Sequence, residues 1–197
     1  MSKFHLRRDP MWGQPCLAYN IQAFFDEEGM ARLADVQDRV SRLCGGVMRL
    51  TPPHTMHVSV FPIIPVRWVS NEKEAISERL EPLMRQELAV EAANAVSIRF
   101  LEIRVASSAL ILSTPHQTGP IHRLRDRLNA LAASADLPRQ AFDRMHLTLA
   151  RPDRDGTMDL ATVAEVEATP AVVDVQVRAI RLIRETVYPS LEIDVLA

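Results

Sequence analysis

An α+β architecture is what the sequence predicts, on three observations. A strand, helix, strand order occurs twice, no low-complexity linker separates the two copies, and 47% hydrophobic residues over a length of 197 suffice for one large domain or two tightly joined lobes. The first copy opens with an apolar run from Leu17 to Phe25. A helix follows from about Glu27 to Leu43, because Met30, Leu33, Val36, Val40 and Leu43 recur at helical spacing, and Gly45 and Gly46 stop it. Thr51-Pro52-Pro53 signals a turn, after which Met56 to Val60 alternates as a strand that ends before Pro62. This first motif strand, residues 56–61, carries His57. The second copy opens with Ala109 to Ser113, continues through a helix marked by Ile121, Leu124, Leu128 and Leu131 to about Ala135, and closes with the strand Met145 to Ala150. That second motif strand, residues 145–151, carries His146. Between the copies lie a helix from about Glu72 to Leu88, striped by Ile76, Leu80, Leu83 and Leu88, and a strand near Val96 to Val105; Pro82 is expected to kink or restart the helix. Val173 to Ile183 and Leu191 to Val195 read as two further strands around a turn at Tyr188-Pro189-Ser190.

Charge narrows the functional classes. Charged residues make up 24% of the chain and the formal net charge is −2, so no broad electrostatic surface for long nucleic acid is expected. A polyanionic substrate has to be met locally. Cys16 and Cys44 lie far apart with no C-x-x-C partner, as expected of buried, reduced thiols rather than a disulfide or a zinc site. The segment Met1 to Pro15 carries Lys3, Arg7 and Arg8 with no apolar run after it, and no stretch reaches membrane-spanning length, so a cytoplasmic protein away from membranes is expected.

The repeat puts one histidine at the same place in each copy. Residues two apart on a strand share a face, so His57 stands beside Ser59, while Val58 and Val60 point to the opposite, helix-covered side. His146 and Thr148 repeat this pattern, opposed by Leu147 and Leu149. Each copy thus offers an imidazole and a hydroxyl together, and two such strands can line one cleft. An isolated H-x-[ST] means little, since chance supplies on the order of one match in a chain of this composition. A third match, His116-Gln117-Thr118, sits among two prolines and a glycine, reads as a loop before a helix, and is set aside.

The segments Met56-His57-Val58-Ser59-Val60-Phe61 and Met145-His146-Leu147-Thr148-Leu149-Ala150-Arg151 resemble the paired H-x-[ST]-h motifs (h, hydrophobic) of the two-histidine (2H) phosphoesterase superfamily. Over nearly its whole length the chain is similar to bacterial proteins called 2'-5' RNA ligases or RNA 2',3'-cyclic phosphodiesterases. Ser59 replaces the commoner threonine and Met145 stands where a proline often precedes the second histidine, but neither departure removes a reacting group. The resemblance implies a single domain over 1–197 of two intertwined, pseudo-symmetric lobes, with antiparallel sheets lining a central cleft and helices outside. It also implies an RNA terminus or small cyclic nucleotide as substrate, with a 2'-phosphate product.

The residue types suit that chemistry unaided. Hydrolysis of a cyclic phosphodiester needs a base to take a proton from water and an acid to protonate the departing ribose oxygen. Two imidazoles divide those tasks near neutral pH, with the assignment of acid and base left open, and Ser59 and Thr148 can donate to the phosphoryl oxygens. No H-E-x-x-H, carboxylate cluster or C-x-x-C points to a catalytic metal, so neither metal nor cofactor is expected. No obligate protein partner is called for, and a monomer is expected.

Several further residues are candidates for contacting substrate. Arg151 resembles an arginine often found after the second motif and can hold phosphate, or else a surface salt bridge. Asn20 and Gln22 share a parity opposite to Leu17, Tyr19 and Ile21, which turns them toward either the cleft or solvent. Tyr188, Trp68 and Phe61 are the aromatics placed to stack on a base, and His54 has the wrong parity and reads as a loop residue. Two other functions share these features: 2'-5' ligation through the same histidines, and a non-catalytic RNA or nucleotide binding module. The intact pair of histidines and hydroxyls disfavours the second.

Overall fold

Strand pairing organises the chain, and the helices cover what the strands leave apolar. The computed structural model describes residues 2–68, 71–91, 96–115, 119–142 and 144–197. Its elements in order are β1 (Lys3–Leu6), β2 (Pro15–Phe25), α1 (Glu27–Leu43), β3 (Met48–Leu50), β4 (Val58–Ile64), α2 (Lys73–Glu91), β5 (Val96–Phe100), β6 (Glu102–Ala106), β7 (Ala109–Pro115), α3 (Pro120–Ser134), β8 (Arg144–Pro152), β9 (Gly156–Asp159), α4 (Leu160–Glu167), β10 (Val173–Val187) and β11 (Glu192–Val195). The fold is α+β, with a nine-stranded antiparallel sheet in the order β11-β10-β2-β4-β8-β7-β6, β3 added to β8 and β5 to β10. A separate two-stranded ribbon pairs β1 with β9. Among the described residues no helix is long and apolar enough to cross a membrane.

Two strand–helix–strand units, β2–α1–β4 and β7–α3–β8, pair their own strands antiparallel. The units meet at a single register pair, Val58 opposite Leu147. Helix α1 starts where Asp26 accepts from the Gly29 N–H at 2.7 Å, with Glu27 and Glu28 in its positive first turn. Gly29 lets the helix approach β10, since a Cβ there would stand 2.8 Å from Asp26 Oδ1 and 3.2 Å from Val175. Leu33, Val36 and Val40 from α1, and Ile121, Leu124 and Leu128 from α3, join one core with Val58, Val60, Leu147 and Leu149.

Both motif strands carry a one-residue bulge at the same place, three residues after the histidine. On β4 the register passes from Phe61 opposite Ile21 to Ser59 opposite Gln22 and skips Val60. On β8 it passes from Ala150 opposite Leu110 to Thr148 opposite Ile111 and skips Leu149. A polar side chain from the other unit's helix takes up each skipped carbonyl. Arg125 on α3 donates from Nε to Val60 O at 2.9 Å and from Nη2 to Ser59 O at 3.1 Å. Gln37 on α1 donates from Nε2 to Leu149 O at 2.7 Å and to Thr51 O at 2.8 Å. Both side chains are buried, which makes these bonds costly to lose.

The fold departs from the sequence expectations where pairing overrides local pattern. The first motif strand is displaced: it spans Val58–Ile64, so His57 stands just before it, and it runs through Pro62. Past the Val60 bulge β4 has no registered partner on the β8 side, so the missing N–H of Pro62 costs no ladder bond there. Helix α2 neither stops nor restarts at Pro82, which is exposed; Leu83 is 43% exposed as well, and Met84 takes its expected place in the core. The strand expected over Val96–Val105 is two strands, divided at exposed Leu101, because β5 pairs with β10 and β6 with β7. Cys44 is buried, but Cys16 is only partly so, and both thiols are free.

Candidate active site

A single cleft of about 230 Å³ is lined by His57, Ser59, His146, Thr148, Arg151, Asn20, Gln22 and Tyr188. The bulges decide which residues after each histidine reach it. Strict alternation from His57 and Ser59 would bring Phe61 to the cleft, and alternation from His146 and Thr148 would bring Ala150. Skipping one residue reverses both assignments. Phe61 and Ala150 are buried in the core, and Pro62 and Arg151 line the cleft instead.

His57 is fixed by its neighbour. Its Nδ1 lies 2.8 Å from Thr55 O, and a carbonyl only accepts, so Nδ1 carries the proton and Nε2 keeps the lone pair. Burial pushes its pKa from 6.5 down to about 4; the Thr55 bond opposes this, and the nearby charges of His146 and Arg151 add to it. His57 is therefore neutral at pH 7. His146, on β8 opposite Ser113 of β7, is exposed and lines the same cleft.

A buried polar network forms the floor. Asn20 donates to Glu185 Oε2 at 3.1 Å, Ser190 N–H to Glu185 Oε1 at 2.5 Å, and Gln22 to Ser190 Oγ at 2.9 Å. Burial raises the Glu185 pKa, against the opposing hydrogen bonds from Ser190 and Asn20 and the charge of Arg151. These bonds also hold Ser190 at φ 53°, a left-handed conformation that non-glycine residues rarely adopt and that concentrates at functional sites. Tyr188 donates to Asp9 Oδ2 at 2.9 Å and lies 5.6 Å from the Arg151 guanidinium, which is 3.8 Å from the same carboxylate. Three buried polar atoms in the lining have no partner among the described residues: Gln22 Oε1, Thr51 Oγ1 and Arg151 Nε. Two of these are donors, which suits an anion. Among the described residues no group of three or more His, Cys, Asp or Glu side chains gathers as a metal site.

No protein-family model matches the chain, and no curated protein does. Solved structures do. TT0787 of Thermus thermophilus superposes with a TM-score of 0.59 at 17% identity, over 91% of this chain and 95% of that one. E. coli LigT complexed with 3'-AMP gives a TM-score of 0.61 at 13% identity, over 93% and 96%. A structure described as a phosphoesterase gives 0.58 at 13% identity, over 92% and 96%. The chain has a LigT-like fold. At these identities the likeness is one of fold, and the chemistry has to be read from the residues.

Within the LigT-like fold two of the candidate aromatics fall outside the cleft. Phe61 packs on Phe142, ring centroids 5.8 Å apart, for the reason given by the Val60 bulge. Trp68 lines a different recess with Glu72, Ile76 and Leu137. His54 is exposed in a single 3-10 turn, Pro53–Thr55, outside the cleft, and His116 and Thr118 lie outside the described residues. Sequence reading missed Glu185, Ser190, Thr51, Thr55 and Asp9. Glu185 carried a usable signal: it has the parity of Ile183, so extending that strand by two residues would have placed a carboxylate on its inner face. Asp9, in an irregular N-terminal segment, carried none.

Proposed function

We propose that this protein is a metal-independent phosphodiesterase of the 2H type that hydrolyses 2',3'-cyclic phosphates on RNA ends or nucleotides. One observation carries it: the two strand–helix–strand units deliver an imidazole–hydroxyl pair each into one cleft, beside a guanidinium whose Nε is unpartnered. We read those units as intertwined lobes of one domain, related by a pseudo-twofold axis. His57 is the base. Its neutral ring, held through Nδ1, presents Nε2 to a water, takes one proton as the water oxygen attacks phosphorus, and becomes imidazolium. The P–O3' bond breaks on the opposite side, His146 gives its proton to O3', and the product is a 2'-phosphate. Ser59 and Thr148 donate to the non-bridging oxygens, and Arg151 offsets their growing charge. Asn20, Gln22 and Tyr188 shape the wall against the ribose.

The test is turnover of 2',3'-cyclic nucleotides and cyclic-phosphate-ended RNA in EDTA, by wild type and by His57→Ala and His146→Ala. Each variant is expected to lose on the order of 10²–10⁴ in rate, with a 2'-phosphate product from wild type. Full activity in both variants, or abolition by EDTA, overturns the scheme.

A further inference from the structure

Past His57, on the outer part of β2 and β10, a second cavity of about 390 Å³ opens to solvent. Phe24, Met56, Ile193 and Val195 give it an apolar surface, with Arg178 and Arg181 at its side. Register places Phe24 on the face of Asn20 and Gln22, and Arg181 directly opposite Gln22, so the groove continues the cleft face of the sheet. The two cavities share a thin partition. Thr55 and His57 line the cleft while Met56, between them, lines the groove, and the Phe24 ring centroid is 6.4 Å from that of His57.

Val195 is 49% exposed, and Arg181 is exposed with no ion-pair partner among the described residues. An open aromatic and aliphatic surface beside unneutralised guanidinium suits a base and its phosphate. The basic stretch is short, because Asp26, Glu27 and Glu28 border Arg178 on its far side. A polyanion gains little by extending further.

We propose that this groove seats the nucleotide adjoining the cyclic-phosphate nucleotide, its base on Phe24 and its phosphate at Arg181 and Arg178, so that an RNA end is preferred over a free mononucleotide. This rests on the phosphodiesterase reading above. The experiment compares kcat/KM for a 2',3'-cyclic mononucleotide and for a dinucleotide ending in the same group, in wild type, Arg181→Ala and Phe24→Leu. Wild type is expected to favour the dinucleotide by about 5- to 150-fold, the range of one stacked base, and each variant to erase much of that ratio. Arg181→Ala should also flatten the salt dependence for the dinucleotide by about 0.7 in log–log slope. Equal kcat/KM for both substrates in wild type, or equal losses on both in the variants, overturns the groove and leaves the hydrolase intact. Binding of a 3'-phosphorylated dinucleotide to His146→Ala separates the two readings if turnover is absent: weakening by Arg181→Ala supports the groove, and indifference to it overturns it.

Discussion

The two motif strands share a plan and differ at both ends of it. Each presents a histidine and a hydroxyl, bulges at the third residue after the histidine, and has that bulge braced from the opposite unit. The cleft residue beyond the bulge is Pro62 on one strand and Arg151 on the other. Likewise one histidine is half-buried and tied to Thr55 O while the other is exposed. Two strands of like plan are thus made different by a few side chains, as a reaction with a distinct entering and leaving oxygen would require.

The widest difference between the two strands is the guanidinium. Arg151→Ala should lower kcat/KM by roughly 10- to 150-fold, the span for a charge-assisted hydrogen bond of about 1.5–3 kcal/mol. Pro62→Ala, its counterpart, should change kcat/KM by less than about 2-fold, because Pro62 offers the phosphate no donor. Steady-state kinetics on a cyclic mononucleotide checks both. Equal effects would mean that Arg151 serves only its contacts with Asp9 and Tyr188.

A second difference is readable in the pH profile. A base works deprotonated, so lowering pH removes activity as His57 gains its proton; with its pKa depressed to about 4, the acid limb of kcat/KM should fall near pH 4 rather than near 6.5. The drop should approach tenfold per pH unit below that point. Thr55 holds His57 by a backbone carbonyl, so no side-chain change at Thr55 should move the limb far. A limb centred above pH 6 would assign the base elsewhere.

Periodicity reads the repeat well, because helix stripes and strand alternation are local properties: Glu27–Leu43 is placed to the residue, and the two histidine–hydroxyl pairs fall on one side of their strands. It cannot read the bulges. Whether a strand skips a residue depends on its partner's register, which no local pattern encodes, and so Phe61 is offered to the cleft while Pro62 is expected to end the strand. Arg151 is reached only by likeness to other sequences, when strict alternation from Thr148 points to Ala150. Glu185 and Asp9 come to the site from segments remote in sequence, joined only by tertiary contacts.

The braces give the finest comparison. Arg125 meets Val60 O, spans Ser59 O as well, and stacks 4.1 Å from the centre of Phe142. Gln37 shares its duty, because Leu149 O also accepts from Thr51 N–H at 2.9 Å. Arg125→Ala should therefore cost about 2–3 kcal/mol of stability, from unsatisfied buried carbonyls and lost packing, and Gln37→Ala about 1 kcal/mol, read from urea midpoints. Burial holds the Arg125 pKa down to about 10, still far above neutrality, so the brace stays charged and Arg125→Lys should recover part of the loss by reaching one carbonyl. If the bulges aim the hydroxyls, Arg125→Ala should lower kcat more than it raises KM, since Ser59 itself is one of the braced residues. Equal stability losses from the two variants, with kcat untouched, would reduce both braces to core packing.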